Sequence, residues 1–303
     1  MVEAEAISRL ESIRIWLAAS RPRTLSLSLA PVAVAAALAV AGAGAGALRW
    51  GAVLVAVLAS ALIQIATNLH NDAADFLRGA DAHGRIGPKR VCAEGLIDAA
   101  TVEKGARLCF AGAAAGGLYL VWVGGWPILV GGALSILCGW LYSSGPRPIA
   151  ATPFGELTVL VFFGFFAVGG AYWLAIGRLD AVALVAGAAL GLFAAAVLLV
   201  NNHRDRAQDV RNGRRTLAIV LGPRATGALF ALLLLAPYLL LIPMAFLLPG
   251  RPIWTALAAA PYSIAIVARF LREPPGPGFN AILAQTAQSQ AIFALLLSFG
   301  ALV

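Results

Sequence analysis

Long apolar runs recur along almost the whole chain, from about residue 24 to about residue 301, and the segments between them are short. About 20 apolar residues cross the ~30 Å hydrocarbon core of a bilayer as a helix. Backbone groups in lipid must find their hydrogen bonds inside the segment, and these runs are apolar on every face rather than alternating, so they read as helices. Spans fall at about 24–45, 50–70, 99–122, 126–143, 155–175, 181–201, 221–247, 252–270 and 281–301. Only 12% of residues are charged, about half the share in soluble domains, and mean hydropathy is +0.87. The chain is expected to be an all-α integral membrane protein of about nine transmembrane helices, with no room for a separate soluble domain. One domain covers 1–303, opening on a short amphipathic cytoplasmic segment, 1–23. That acidic and polar start reads as neither a cleavable signal nor a transit peptide.

Lys and Arg near span ends are retained in the cytoplasm. With the N-terminus inside, nine spans place all 22 basic residues on the inner side except Arg49, Arg178 and Arg251. The net charge of +8 is thereby explained as loop cations, and no nucleic-acid partner is implied. The expected location is a multi-pass cell membrane, with the lipid bilayer itself as a partner. Cys92, Cys109 and Cys138 are odd in number and widely spaced, which supports neither a disulfide framework nor a thiolate metal site. The Gly- and Ala-rich stretches, Ala111–Ala115 and Gly131–Gly132 among them, read as helix-packing surfaces.

Charge is concentrated in two patches. Asn68–Arg90 (NLHNDAADFLRGADAHGRIGPKR) follows the second span and Asn201–Arg215 (NNHRDRAQDVRNGRR) follows the sixth. Both open on Asn-x-x-x-Asp, Asn68/Asp72 and Asn201/Asp205, and both belong to the cytoplasmic side. The recurrence suggests two four-helix halves, about 24–143 and 155–270, with a ninth helix appended. If the second helix continues to Leu77, Asn68, Asp72 and Asp75 share a face, and the same holds for Asn201, Asp205 and Asp209. Crowded carboxylates favour a bound cation. Oxygen donors of this kind suit Mg²⁺, which commonly shares its shell with substrate phosphates, and neither CxxC nor HExxH is present to suggest zinc. The interleaved cations Arg85, Lys89, Arg90, Arg211, Arg214 and Arg215 are candidates to hold a diphosphate, with Arg85, Lys89, Arg90, Arg211 and Arg215 expected to do so. Possible substrate contacts are Asn71, Asp81, Tyr142, Glu156 and Asn202. Aromatics from Phe162 to Trp173 are expected to pack or face lipid, with the lining of an isoprenoid tunnel as the alternative. Trp122, Trp126, Tyr142 and Trp254 read as interfacial belt residues.

At these patches the chain resembles the UbiA superfamily of membrane aromatic prenyltransferases. The motifs are Asn71-Asp72-x-x-Asp75 after the second helix and Asp205-x-x-x-Asp209 after the sixth. Within that superfamily it is most similar to the branch that prenylates 1,4-dihydroxy-2-naphthoate, through NDAADFLRGAD followed by RIGPKR, through NNHRDRAQDVRNGRRTLAIVLG, and through TPFGELTVLVFFGFFAVGGAYW. Gly79 stands where other branches carry a further aspartate, with Asp81 nearby instead. Arg214 stands where a lysine is usual, and Ala73 where an aromatic is frequent.

The resemblance implies a Mg²⁺-dependent enzyme using about two ions, held by Asn68, Asp72, Asp75, Asn201, Asp205 and Asp209. Catalysis would rest on Asp72, Asp75, Asp205 and Asp209. Its partners would be a polyprenyl diphosphate and 1,4-dihydroxy-2-naphthoate, joined with loss of CO₂ in menaquinone or phylloquinone biosynthesis. Alternatives are another acceptor (4-hydroxybenzoate or homogentisate), an ion-coupled transporter, or a non-catalytic quinone-binding relative.

Overall fold

The structure is a computed structural model that describes residues 9–79 and 86–303. A short helix, α1 (Arg9–Ser20), precedes nine further helices: α2 (Pro22–Ala43), α3 (Trp50–Leu77), α4 (Ala99–Gly124), α5 (Trp126–Leu141), α6 (Gly155–Ile176), α7 (Ala181–Arg211), α8 (Leu217–Leu247), α9 (Ile253–Arg272) and α10 (Phe279–Leu302). Eight of these are long and apolar enough to cross a membrane, and α5 is a shorter apolar helix, so the count agrees with nine spans. No strand occurs among the described residues. The protein is a multi-pass membrane protein.

Large apolar side chains such as Leu54, Leu118, Trp122, Trp126 and Phe246 stand exposed on the outside of the bundle, where only lipid or its interface would accept them at such density. Helix–helix contact instead uses small residues. Gly187 and Gly191 of α7 form a G-x-x-x-G pair facing Gly164 of α6, and a Cβ on Gly164 would run into the Gly187 carbonyl. The two backbones therefore touch, as lipid-embedded helices need. On this contact α6 winds as a π-helix from Leu160 to Gly169, bringing Phe162 and Phe166 into a stack with centroids 5.1 Å apart.

Helices α3 and α7 outrun the apolar runs that predict them, ending at Leu77 and Arg211 rather than near 70 and 201. The opening parts of the charged patches, Asn68–Leu77 and Asn201–Arg211, are thus helical extensions, and they leave the bundle at the same end. α10 packs against α2, α7 and α9. Its first turn reaches the same end, which makes it more than an appendage.

Candidate active site

One cavity of about 1290 Å³ opens inside the bundle. Its polar end is walled by α3 on one bank and α7 on the other. Asn68, Asn71 and Asp75 line it from α3, at spacings that keep one helical face toward the cavity. Asn201, Asn202, Asp205, Gln208 and Asp209 line it from α7. The two patches, joined only as a pattern in the sequence, border one space.

Four arginines line this end: Arg21, Arg90, Arg204 and Arg214. Asp75 is buried and pairs with Arg90 at 2.8 Å, Arg214 at 2.8 Å and Arg78 at 3.3 Å. Arg214 also approaches Asp209 Oδ1 at 3.6 Å and so ties one bank to the other. Arg204, with 2% of its surface exposed, donates to both carboxylate oxygens of Asp205 at 2.8 and 2.6 Å, to Asn201 Oδ1 at 2.7 Å and to Asn280 Oδ1 at 2.8 Å. Asn280, at the start of α10, donates in turn to the Ile86 carbonyl at 3.0 Å. A buried arginine satisfied on this many sides holds its neighbours in one geometry.

Several expected residues lie elsewhere. Asp72 is buried but does not line the cavity: Oδ2 accepts the Val91 N–H at 3.0 Å and Oδ1 the Cys92 N–H at 3.2 Å. One position beyond Asn71, it is turned about 100° round the helix from the lining face. Of the four described cations among the five expected at a diphosphate, only Arg90 lines the cavity. Lys89 is exposed and paired with Glu94 at 2.8 Å, and Arg211 and Arg215 are exposed as well. Arg85 and Asp81 fall outside the described residues. Arg214, a candidate cation of the second patch, does line the cavity. Sequence spacing misses two residues: Arg204 lies within that patch, where nothing tells a buried arginine from a solvated one, and Asn280 lies in no motif.

The possible substrate contacts divide similarly. Asn71 faces the cavity, its Oδ1 accepting from Arg90 at 2.6 Å and its Nδ2 donating to Ser143 Oγ at 2.8 Å. Tyr142 lines the cavity and is not an interfacial belt residue; Trp122, Trp126 and Trp254 are exposed near helix ends. Asn202 lines it and donates to Glu156 Oε1 at 2.9 Å, while Glu156 itself stands behind, buried. His70 braces the wall from outside, stacked on Trp140 and bonded to Glu103 and Ser144 at 2.8 and 2.6 Å. Phe162, Phe163, Phe165, Phe166 and Trp173 line the cavity rather than simply packing or facing lipid. Only Tyr172 of that group is withdrawn, donating to Asp180 at 2.7 Å.

Away from the polar end the lining is apolar. Ala56 and Asp75 of α3 both border the cavity, and the 19 residue steps from one to the other correspond to about 28 Å of helix. Gly117, Gly132 and Gly170 border it where an added Cβ would meet nothing within 4 Å. Small residues expected only as packing surfaces thus make room in the cavity.

The chemistry of the polar end fits a divalent cation that shares its shell with a phosphate. Every acidic or amide donor is an oxygen ligand for a hard ion, but among the described residues no three acidic, His or Cys side chains are grouped closely enough to hold a metal alone. Mg²⁺ is usually held through one or two carboxylates plus substrate phosphates, which suits Asp75 on one bank and Asp205 and Asp209 on the other.

The sequence profile described as the UbiA prenyltransferase family matches residues 28–278. Similar curated proteins include the 1,4-dihydroxy-2-naphthoate octaprenyltransferase of Mycobacterium leprae, 33% identical over 94% of this chain and 95% of that protein. The protein of the same name in Escherichia coli is 32% identical over 98% and 96%. Among solved structures, a UbiA homolog from Archaeoglobus fulgidus bound to GPP and Mg²⁺ superposes with a TM-score of 0.64 at 16% identity, covering 95% of this chain and 99% of that one. A UbiA homolog from Aeropyrum pernix K1, in its apo form, gives a TM-score of 0.67 at 16% identity, over 91% and 96%.

Proposed function

Because the chain belongs to the UbiA prenyltransferase family, we propose that it transfers a polyprenyl group from an allylic polyprenyl diphosphate to 1,4-dihydroxy-2-naphthoate, releasing CO₂ and diphosphate. The acceptor is inferred from the naphthoate octaprenyltransferases it resembles, and the cation asymmetry supports a polar end of the cavity at the cytoplasmic surface. The product is a precursor of menaquinone or phylloquinone. The carrying observation is that both acidic patches and four arginines converge on one end of an otherwise apolar cavity.

Arg90, Arg204 and Arg214 supply fixed positive charge where the diphosphate leaves, and placed in advance they need not reorganise as that charge develops. Asp75, Asp205 and Asp209, with Asn71 and Asn201, would hold Mg²⁺, about two ions; bound there, the metal would supply Lewis-acid stabilisation of the leaving group. Divalent-ion use is supported by related structures containing Mg²⁺ or Cd²⁺. The allylic C–O bond breaks to release diphosphate, and the electron-rich ring carbon bearing the carboxylate attacks the allylic cation to form the new C–C bond. The electrons of the C–CO₂⁻ bond then restore the aromatic ring as CO₂ departs. Tyr142 and Asn202 line the acceptor's side of this end, while Phe162, Phe163 and Phe166 wall the channel for the tail. Water is kept from the allylic cation by the apolar walls.

The test is incubation of the purified protein with Mg²⁺, labelled geranylgeranyl diphosphate and a panel of dihydroxynaphthoate, 4-hydroxybenzoate and homogentisate. The expected product is a prenylated naphthoquinol one carboxyl group lighter than simple addition. Transfer only to another acceptor, or none to any, overturns the reading.

A further inference from the structure

The function above leaves Asp72 without a role, although it is among the most buried charged residues in the protein, with 3% of its surface exposed. Its carboxylate does not face the cavity. Both oxygens instead receive backbone N–H groups, from Val91 at 3.0 Å and Cys92 at 3.2 Å. These two amides open a tight turn in which Glu94 N–H returns to the Arg90 carbonyl at 3.0 Å and Leu96 N–H to Val91 at 2.9 Å. Val91 and Cys92 are buried in a small apolar cluster with Leu69, Ala73 and Val102. The turn is therefore fastened twice, by apolar burial and by a carboxylate satisfying amides that the turn leaves open.

The residue immediately before the turn is Arg90. It is buried and grips the polar end of the cavity, donating to the Asn71 carbonyl at 3.1 Å, to Asn71 Oδ1 at 2.6 Å and pairing with Asp75 at 2.8 Å. Asn71, Asp72 and Asp75 are thus contacted by one short segment, two of them by the Arg90 side chain and the third by the backbone that carries it. We infer that Asp72 is a positioning residue: it anchors the Val91–Cys92 turn so that Arg90 is held in place for the diphosphate, and it does not bind metal. This rests on the prenyl transfer proposed above. Burial, with Asp72 close behind it, also pushes the Cys92 thiol up to about 12, so in the intact turn it stays protonated and unreactive at neutral pH.

The experiment compares wild type, Asp72→Asn and Arg90→Ala in membranes, reading N-ethylmaleimide labelling of Cys92, KM for geranylgeranyl diphosphate, kcat and the Mg²⁺ activation constant. Asparagine keeps one acceptor oxygen but turns an amide N–H against the second backbone donor. Asp72→Asn is expected to raise Cys92 labelling about tenfold and KM about tenfold, with kcat within threefold and the Mg²⁺ constant within twofold. In an Arg90→Ala background the same change should add less than twofold to KM. A tenfold shift in the Mg²⁺ constant would make Asp72 a metal ligand and overturn the inference. Unchanged kinetic constants per folded enzyme would make it merely structural and overturn it equally. Should Asp72→Asn fail to fold, Arg90→Ala decides: it should raise KM while leaving Cys92 protected, and a KM within twofold of wild type contradicts the proposal. If wild type itself transfers no prenyl group, the function fails, while Cys92 labelling still reads the anchor.

Discussion

Asp75 and Arg214 stand 139 residues apart in sequence and 2.8 Å apart in space. Arg214 comes from the turn after α7 and Asp75 from the last turns of α3, so this ion pair closes the polar end of the cavity from both banks. A cation with its second nitrogen 3.6 Å from Asp209 is placed to stabilise negative charge arriving between them. Arg214→Gln should lower kcat/KM by about 10²-fold, and Arg214→Lys should recover part of it, since lysine keeps the charge but not the two-way fork. Steady-state kinetics on detergent-purified protein checks both.

Metal dependence should be cooperative with substrate. Because no cluster among the described residues can hold the ion by itself, Mg²⁺ is expected to bind weakly to the free protein and at least tenfold more tightly with a non-hydrolysable prenyl diphosphate present. Isothermal titration in both states measures this. EDTA should abolish transfer, and Mg²⁺ should restore it.

Tail length should respond to the glycines facing open space. Gly132→Trp or Gly117→Trp places a large side chain in the cavity where a Cβ meets nothing within 4 Å. The fold should tolerate either change, while kcat/KM for geranylgeranyl diphosphate should fall more than tenfold relative to dimethylallyl diphosphate. A competition assay with the two donors reads the ratio.

The opposite outcome is expected at Gly191. A Cβ there would lie 2.5 Å from the Leu160 carbonyl, a backbone atom that cannot swing aside. Gly191→Ala should cost about 1–3 kcal/mol by overpacking and lower the melting temperature in detergent, with the π-helical wall of the cavity displaced. Gly132→Ala, with open space before it, should leave the melting temperature unchanged.

Much of this architecture is legible in the sequence because the bilayer leaves few choices: run lengths yield the spans, and repeated Asn and Asp on α3 and α7 mark the site. What escaped follows from the angular step of a helix. Asn68 and Asp72 look like a pair by i, i+4 spacing, yet the lining face runs Asn68, Asn71, Asp75, and Asp72 falls beside it. Composition does not tell Arg204, closed in by Asn201, Asp205 and Asn280, from the exposed Arg211 seven positions on. Lys89 and Arg90 are adjacent, but only the second is turned inward, because Val91 and Cys92 are buried beside it. Asn280 carried no motif at all, since its role depends on α10 packing back against α2 and α7.

The central claim is that the two patches grip one diphosphate. Its most direct test is the Kd of geranylgeranyl diphosphate, with Mg²⁺, for wild type, Asp75→Asn and Asp209→Asn, in variants shown to be folded by their melting curves. Each single change should raise Kd at least tenfold, because either bank alone holds only part of the ligand. Wild-type affinity, within twofold, in either variant would contradict a shared site.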